Sequence, residues 1–202
     1  MYPKLSTNVS KLGNKIASLN LPAGLTCRED SPCSKHCYAK RGNFAFPVVR
    51  KGLAGNYQAY IDNPDEFFKI LDSQLTYIPY KFFRWHSSGD IIDERYLDGM
   101  VKLARKHKAT SFLCFTKQYE IINAYFNKHR KPKNLTIVLS NWGEFICENP
   151  HNFPTSWVYF PKEDNWIPEN AMKCSGYCGD CVNTEHSCWH LNKGESVVFR
   201  KH

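Results

Sequence analysis

Seven of the nine cysteines fall into two tight groups near the two ends of the 202-residue chain. The N-terminal group comprises Cys27, Cys33 and Cys37, and the C-terminal group comprises Cys174, Cys178, Cys181 and Cys188. Thiolates are soft ligands that select zinc, copper(I) or iron–sulfur clusters. If the two groups meet in space, they join the beginning of the fold to its end. The cysteine pattern therefore predicts a metal-binding protein.

A disulfide framework is the alternative use of so many cysteines, but it is typical of short secreted chains. A chain with 42% hydrophobic and 14% aromatic residues can bury a core without cross-links. Residues 1–15 contain no apolar signal-peptide core, and no apolar run approaches the ~18 residues needed to cross a bilayer. We therefore expect a cytoplasmic protein with reduced thiols and no membrane partner.

The formal net charge of +8 belongs to the body of the chain. Residues 1–149 carry 22 Lys and Arg against 13 Asp and Glu, whereas residues 150–202 carry 5 against 6. A solvated lysine-rich surface explains this balance, because Lys102, Arg105 and Lys106 fall where a helix would expose them. A nucleic-acid partner stays open as an alternative.

Helical periodicity alternates with short apolar runs through the middle of the chain. Helices are predicted at 44–62, 64–77, 93–107 and 118–129, and strands in KFFRW, SFLCF, LTIVL and SWVYF. This alternation is typical of a parallel sheet. We predict an α/β fold with a partial (β/α) barrel-like parallel sheet over residues 1–165, and about four or five strands in the chain. A Cys-rich metal-binding extension over residues 166–202 is expected to pack on it.

Polar residues follow three of the predicted strands: 87–90, 116–117 and 140–141. Ligand sites of barrels and open α/β sheets lie at the carboxyl ends of the strands, so these residues are expected at one site. On the first predicted strand, Arg84 and His86 are expected to share a face and to need partners. The candidate catalytic residues are Asp90, His86 and Lys117.

The number and spacing of the cysteines predict a different kind of metal centre for each of the two groups. Three cysteines, at intervals of five and three residues on a loop before a helix, can hold three corners of a four-iron cluster and leave one iron open. The C-terminal four, at intervals of three, two and six residues, can saturate a four-iron cluster or a tetrahedral zinc. The irregular spacing favours iron–sulfur, with zinc as the alternative at the C-terminal cysteines.

The other cysteines and the neighbouring histidines are expected to take no part in coordination, with one undecided. Cys114 lies within a predicted strand and is expected to be a small buried hydrophobe, whereas Cys147 is undecided. His36, His186 and His190 lie among the cysteines and are expected to be exposed or outside the coordination sphere.

Several motifs occur along residues 12–190: PAG-x2-Cys-x5-Cys-x3-Cys-Tyr-Ala, Arg-x-His-x-Ser-Gly-Asp at 84–90, Phe-Thr-Lys at 115–117, Leu-Ser-Asn at 139–141 and the terminal Cys-x2-Cys…Cys-Trp. Together they resemble the motifs of the phage-encoded gene product 88-like proteins. That family is similar to radical S-adenosylmethionine (SAM) enzymes, which implies a partial βα-barrel and one or two four-iron clusters. The usual cluster motif of those enzymes, Cys-x3-Cys-x2-Cys, follows their first strand; here that interval occurs at Cys174–Cys181.

The resemblance also implies where SAM, a candidate cofactor, would bind. The Ser-Gly-Asp turn stands after the N-terminal cysteines much as the Gly-Gly-Glu turn that holds the SAM amino group stands in those enzymes. The implied cofactor contacts are Ser88, Gly89, Asp90, Ser140 and Asn141.

Three hypotheses about function follow from the sequence. In the first, the protein is a phage-encoded iron–sulfur protein of the host cytoplasm that carries redox or radical chemistry on a small molecule. In the second, zinc or a saturated cluster stabilises a non-enzymatic binding module for nucleic acid or a host protein. In the third, an open metal site hydrolyses a substrate with Asp90 or His86 as general base.

Overall fold

A single parallel sheet forms the centre of the protein. The computed structural model describes residues 2–7, 9, 11–161 and 166–201. Its strands are β1 (Ile16–Leu19), β2 (Phe82–Trp85), β3 (Ser111–Thr116), β4 (Leu135–Ser140), β5 (Thr155–Tyr159), β6 (Met172–Lys173) and β7 (Ser196–Arg200). All pair in parallel in the order β1-β2-β3-β4-β5-β7-β6, and the sheet is open. The predicted α/β fold with a partial barrel-like sheet and a Cys-rich C-terminus is confirmed.

Within the described residues, five α-helices connect these strands: α1 (Pro47–Asp62), α2 (Pro64–Tyr77), α3 (Glu94–Lys106), α4 (Tyr119–Phe126) and α5 (Cys178–Cys181). Helix α2 begins where the sequence predicts, because Pro64 fixes its first turn and Asn63 Oδ1 accepts a hydrogen bond from the Glu66 N–H at 3.0 Å. The helix predicted from residue 44 begins instead at Pro47. Three short 3₁₀ segments precede it; Cys33 lies within the first, and Cys37 lies between the first and the second.

The expected count of four or five strands is wrong, since the described residues contain seven. Strand β1 has four residues, all buried, and therefore shows no alternation of polar and apolar side chains. Strand β6 has only two residues. Strand β7 follows the C-terminal cysteines, a segment whose sequence is typical of a loop. With β1 in place, the N-terminal cysteines follow the first strand and the Ser-Gly-Asp turn follows the second.

Different parts of the chain pack against the two faces of the sheet. One face, which includes Phe83 and Phe112, packs against the helices in the larger hydrophobic cluster. The other face carries Phe82, Leu113 and Val138 and packs against the C-terminal segment in a second cluster. In that cluster the Trp189 ring lies 5.8 Å from the Phe82 ring. The Cys-rich segment therefore covers the face of the sheet that the helices leave open.

The division of the chain into residues 1–165 and 166–202 stays a prediction. Its boundary adjoins residues 162–165, which lie outside the described residues. Both β6 and β7 belong to the same sheet as β1–β5. In the described part of the chain, no helix is both long enough and apolar enough to cross a membrane.

An ion pair between α2 and the end of α3 gives a pH-dependent prediction. Asp72 contacts Lys106 Nζ at 2.5 Å and His107 Nε2 at 2.8 Å. Partial burial raises the pKa of Asp72, but the hydrogen bonds from Lys106 and His107 outweigh it and leave the pKa below its ordinary value. Asp72→Asn should therefore lower the free energy of unfolding by about 1 kcal/mol at neutral pH.

This stabilisation should depend on pH in one direction. The pKa of Asp72 is lower in the folded than in the unfolded chain, so its contribution is complete above the unfolded pKa and is lost as pH falls through the folded pKa. Urea unfolding of wild type and Asp72→Asn at pH 7 and at about pH 3 measures the difference. A difference of equal size at both pH values would contradict the assignment to the carboxylate.

Candidate functional site

The two cysteine groups face one cavity of about 400 Å³. All seven grouped cysteines line it, together with every residue that the sequence assigned to catalysis or cofactor binding: His86, Ser88, Gly89, Asp90, Lys117, Ser140 and Asn141. The cavity lies at the carboxyl ends of the strands, where the segments after β1, β2, β3 and β4 come together. The folded chain thus brings all of the predicted site residues to one place.

The loop that carries the N-terminal cysteines is hydrogen-bonded to the turn after β2. Leu21 and Ser88 exchange two bonds: the Leu21 N–H donates to the Ser88 carbonyl at 2.9 Å, and Ser88 Oγ donates to the Leu21 carbonyl at 2.8 Å. The Ser87 N–H donates to Asn20 Oδ1 at 2.7 Å, and the Asp90 N–H donates to Thr26 Oγ1 at 3.0 Å. These bonds set the position of Cys27 relative to the Ser-Gly-Asp turn.

Gly89 allows this turn and loop to approach each other. Its φ is +80°, in the left-handed region that favours glycine. A Cβ at this position would lie 2.6 Å from Leu21 Cβ and 2.6 Å from Thr26 Oγ1. Glycine is therefore required here for packing as well as for backbone conformation.

Asp90 is buried and joins the turn after β2 to the end of β3. Oδ1 accepts from the Ile91 N–H at 2.8 Å, and Oδ2 accepts from the Lys117 N–H at 2.9 Å. Burial raises the pKa of Asp90, and the backbone N–H groups oppose this rise. Both oxygens already accept hydrogen bonds, so Asp90 positions the loops in addition to any contact it makes with a ligand.

Arg28 holds the other side of the cysteine loop. Its guanidinium pairs with Asp30 at 2.6 Å and with Glu120 at 2.7 Å, and it lies 5.4 Å from the centre of the Tyr119 ring. Nη1 also donates to the Lys117 carbonyl at 3.4 Å. Arg28 thus fixes the residue next to Cys27 to the β3–α4 connection. Local sequence spacing gives no sign of this role, because both partners outside the loop lie about 90 residues away.

The three N-terminal thiols are close enough to influence one another. Burial raises the pKa of Cys27 to about 11, opposed by a hydrogen bond from Gly24 and supported by Asp90 and by the thiols of Cys33 and Cys37. Cys33 Sγ lies 3.0 Å from Ser31 Oγ. Without a metal, Cys27 is therefore a neutral thiol at physiological pH.

The C-terminal thiols form a second group of neighbouring thiols in the cavity lining. Burial raises the pKa of Cys188 to about 12, and the thiols of Cys174, Cys181 and Cys178 contribute to the rise. Backbone bonds hold this group to the rest of the fold, since the Cys174 N–H donates to the Val198 carbonyl at 3.0 Å and the Cys178 N–H to the Lys11 carbonyl at 2.9 Å. The C-terminal group is therefore anchored to β7 and to the N-terminal segment.

Tyr38 and Arg84 lie where the two groups meet. Tyr38 is 49% exposed as a whole, but burial around its hydroxyl raises the pKa of the side chain. Arg84 lowers this pKa and the thiols of Cys37, Cys33 and Cys178 raise it, so thiols of both groups act on the tyrosine. Its hydroxyl donates to the Ser87 carbonyl at 2.6 Å. The Arg84 guanidinium lies 4.5 Å from the centre of the Phe115 ring and contacts the thiol of Cys178. Tyr38 follows Cys37 directly, but nothing in its sequence neighbourhood points to the second group.

The position of His86 differs from the one that the sequence predicts. The expectation that Arg84 and His86 share a face of one strand is wrong, because β2 ends at Trp85 and His86 has a φ of 59°. His86 Nε2 lies 3.0 Å from the Tyr96 hydroxyl, and Nδ1 lies 3.9 Å from Cys114 Sγ. Burial, together with Arg84, lowers the pKa of His86 to about 3. The imidazole is therefore neutral and contacts helix α3.

The other two cysteines, and the three histidines that lie among the grouped cysteines in the sequence, have different environments. Cys114 is fully buried in β3, as expected for a small hydrophobe. The Cys147 N–H donates to Asn141 Oδ1 at 2.7 Å, and burial raises the pKa of its thiol to about 11. The three histidines His36, His186 and His190 are exposed.

The thiols that line the cavity are the candidate ligands for a metal ion or a cluster. Across residues 2–7, 9, 11–161 and 166–201, no three Cys, His, Asp or Glu side chains are arranged to hold one metal ion. A single zinc needs its thiolates at about 2.3 Å from one centre. A four-iron cluster binds each thiolate through a different iron and therefore spans more widely spaced sulfurs. Cys27, Cys33 and Cys37 are the thiols of this lining that could hold three corners of such a cluster.

Comparison with known proteins gives a family but no activity. No curated protein and no solved structure matches the chain. A family model described as Gene product 88 matches residues 2–196, almost the whole chain. That description names no activity, substrate or cofactor. The protein belongs to the Gene product 88 family.

Proposed function

We propose that this protein is an iron–sulfur protein with a radical-SAM-like site, in which Cys27, Cys33 and Cys37 hold a four-iron cluster with one iron open. The observation that carries the proposal is the convergence of all seven grouped cysteines on one cavity at the carboxyl ends of the strands. Sites in that position serve catalysis and cofactor binding in related architectures. The phage-encoded origin and the cytoplasmic location remain predictions.

The order of the elements supports the radical-SAM-like part of the proposal. The three cysteines follow β1, and the Ser-Gly-Asp turn follows β2, as the resemblance to radical SAM enzymes implies. Four hydrogen bonds between residues 20–26 and 87–90 tie the loop to the turn. A molecule bound at the open iron would therefore contact both segments.

Residues of the chain itself give this cavity a mixed polar and apolar lining that suits a small molecule. When bound, a four-iron cluster with an open iron supplies one-electron redox chemistry and a coordination position. Ser88, Asp90 and Asn141 contribute polar atoms to the lining. Leu113, Phe115 and Val158 contribute apolar surface to it. The C-terminal cysteines provide either a second, closed centre or further ligands to the first.

A metal-stabilised binding module is the second candidate, favoured by the packing of the C-terminal segment. Val182, Cys188 and Trp189 are buried in the second hydrophobic cluster, so a metal at the C-terminal cysteines would close the fold over β2–β4. Hydrolysis with His86 as general base is less favoured, because both ring nitrogens already face Tyr96 and Cys114.

Metal analysis separates these functions. Anaerobically purified protein should contain about four or about eight irons, with equal sulfide. Addition of SAM to the reduced protein should change its electron paramagnetic resonance signal. Zinc without iron would contradict the iron–sulfur proposal and support the binding module. Iron and sulfide with no change on addition of SAM would retain the cluster and refute the radical-SAM-like site.

A further inference from the structure

Four side chains that line the cavity carry buried polar atoms without a partner. In the described part of the chain these atoms are Arg84 Nε, Ser87 Oγ, Asn141 Nδ2 and Trp189 Nε1. Three of them can only donate a hydrogen bond, and the serine hydroxyl can donate one. Buried polar atoms in native proteins are nearly always paired. Their concentration in one cavity indicates a ligand rich in acceptor oxygens.

Arg84 is the charged member of this set. No carboxylate of the described residues lies within ion-pair distance of its guanidinium. The guanidinium carbon lies 4.5 Å from the centre of the Phe115 ring, and both residues line the cavity. A planar guanidinium with an unpartnered Nε–H matches the paired oxygens of a carboxylate or a phosphate.

Asn141 presents its amide in a defined orientation. The side chain is 1% exposed, and Oδ1 accepts from the Cys147 N–H at 2.7 Å. That bond fixes the orientation of the amide. In this orientation the NH₂ group has no hydrogen-bond partner in the described residues. Asn141 can therefore donate to an oxygen of a bound molecule without any rearrangement.

The charge of the lining favours an anion. Seven Lys and Arg side chains border the cavity, against the two carboxylates of Asp90 and Asp180. The Asp90 oxygens are occupied by backbone N–H groups. Arg28 is already paired with Asp30 and Glu120, so six cations stand against the two carboxylates. Seven thiolates on two four-iron clusters would contribute about −3 and leave only a small positive excess. The excess would attract and hold a negatively charged molecule.

We propose that the cavity binds a small organic anion whose carboxylate or phosphate group lies against Arg84, with the Asn141 amide donating to a second oxygen of the same molecule. This names the substrate class for the proposed function and rests on it only in treating the bound molecule as a substrate. The binding itself depends on the protein's own donors and not on a metal.

Titration calorimetry on the full chain, purified anaerobically and with its iron counted, tests the proposal. Pyrophosphate and succinate serve as the phosphate and carboxylate probes. At least one should bind to wild type, roughly tenfold to hundredfold more tightly than to Arg84→Gln. Asn141→Asp keeps the bond from the Cys147 N–H but replaces the donor by a carboxylate, so it should weaken binding by at least tenfold. The control Arg105→Gln removes an equal charge from an exposed position on α3 and should bind as wild type does.

The outcomes distinguish this inference from the proposed function. Probe binding that depends on Arg84 in protein without iron would uphold the anion site and refute the cluster. Protein with iron that binds neither probe, or that binds them equally after Arg84→Gln and Asn141→Asp, would overturn the anion site and leave the cluster standing. Preference for one probe identifies which oxyanion the site takes.

Discussion

Cys33→Ala should remove the iron held by the N-terminal cysteine loop, while Cys114→Ala should leave the iron content unchanged. Cys33 faces the cavity beside Cys27 and Cys37, whereas Cys114 is fully buried in β3. A cluster held by three thiolates does not survive the loss of one of them, because no spare thiol of that loop can replace it. Cys27→Ala should have the same effect. Iron and sulfide counts on anaerobically purified variants measure the loss.

The size of the loss reports how many centres the cavity holds. If there are two clusters, Cys33→Ala should lose about four of eight irons, and Cys188→Ala should lose the other four. If both groups share one cluster, either substitution should remove nearly all of the iron. Equal losses from Cys33→Ala, Cys27→Ala and Cys114→Ala would refute the ligand assignment, because they would mean that iron loss follows general destabilisation. Circular dichroism of each variant checks that the fold is retained.

The sequence predicted which residues come together at the strand ends better than it predicted the elements that carry them. The seven cysteines, the Ser-Gly-Asp turn and Asn141 all reach one cavity, because the carboxyl ends of parallel strands meet at one edge of a sheet. That rule needs only the strand order and the loop composition. The sequence does not predict strands β1, β6 and β7. They are short and buried or adjoin the cysteines, so their residues show little alternation of polar and apolar side chains.

The interactions that position the site are long-range and have no local signal. Arg28 pairs with Glu120, 92 residues further along the chain, and Thr26 accepts from Asp90, 64 residues away. Neither partner can be identified from the spacing of residues in one segment. His86 shows the converse error, since alternation along a strand predicts its face only while the strand continues, and β2 ends one residue earlier.

Gly89→Ala should destabilise the protein by about 3 kcal/mol and lower its melting temperature by roughly 5–10 °C. Two costs combine in this estimate. The backbone φ of +80° disfavours any side chain, and the added Cβ would meet Leu21 Cβ at 2.6 Å, Thr26 Oγ1 at 2.6 Å and the Leu21 carbonyl carbon at 2.9 Å. A backbone atom of the loop cannot move away as the end of a flexible side chain can. Thermal and urea unfolding measure the loss.

Gly42→Ala is the matched control, because Gly42 also has a positive φ, +53°, but an added Cβ would meet no heavy atom of the described residues within 4 Å. It should cost only the backbone term, about 1 kcal/mol. The difference between the two variants isolates the close approach of the Ser-Gly-Asp turn to the loop that carries Cys27. Because Leu21 and Thr26 precede Cys27, Gly89→Ala should also lower iron content, whereas Gly42→Ala should not. Equal stability and equal iron in the two variants would mean that the turn and the cysteine loop do not pack as closely as the hydrogen bonds between Leu21 and Ser88 require.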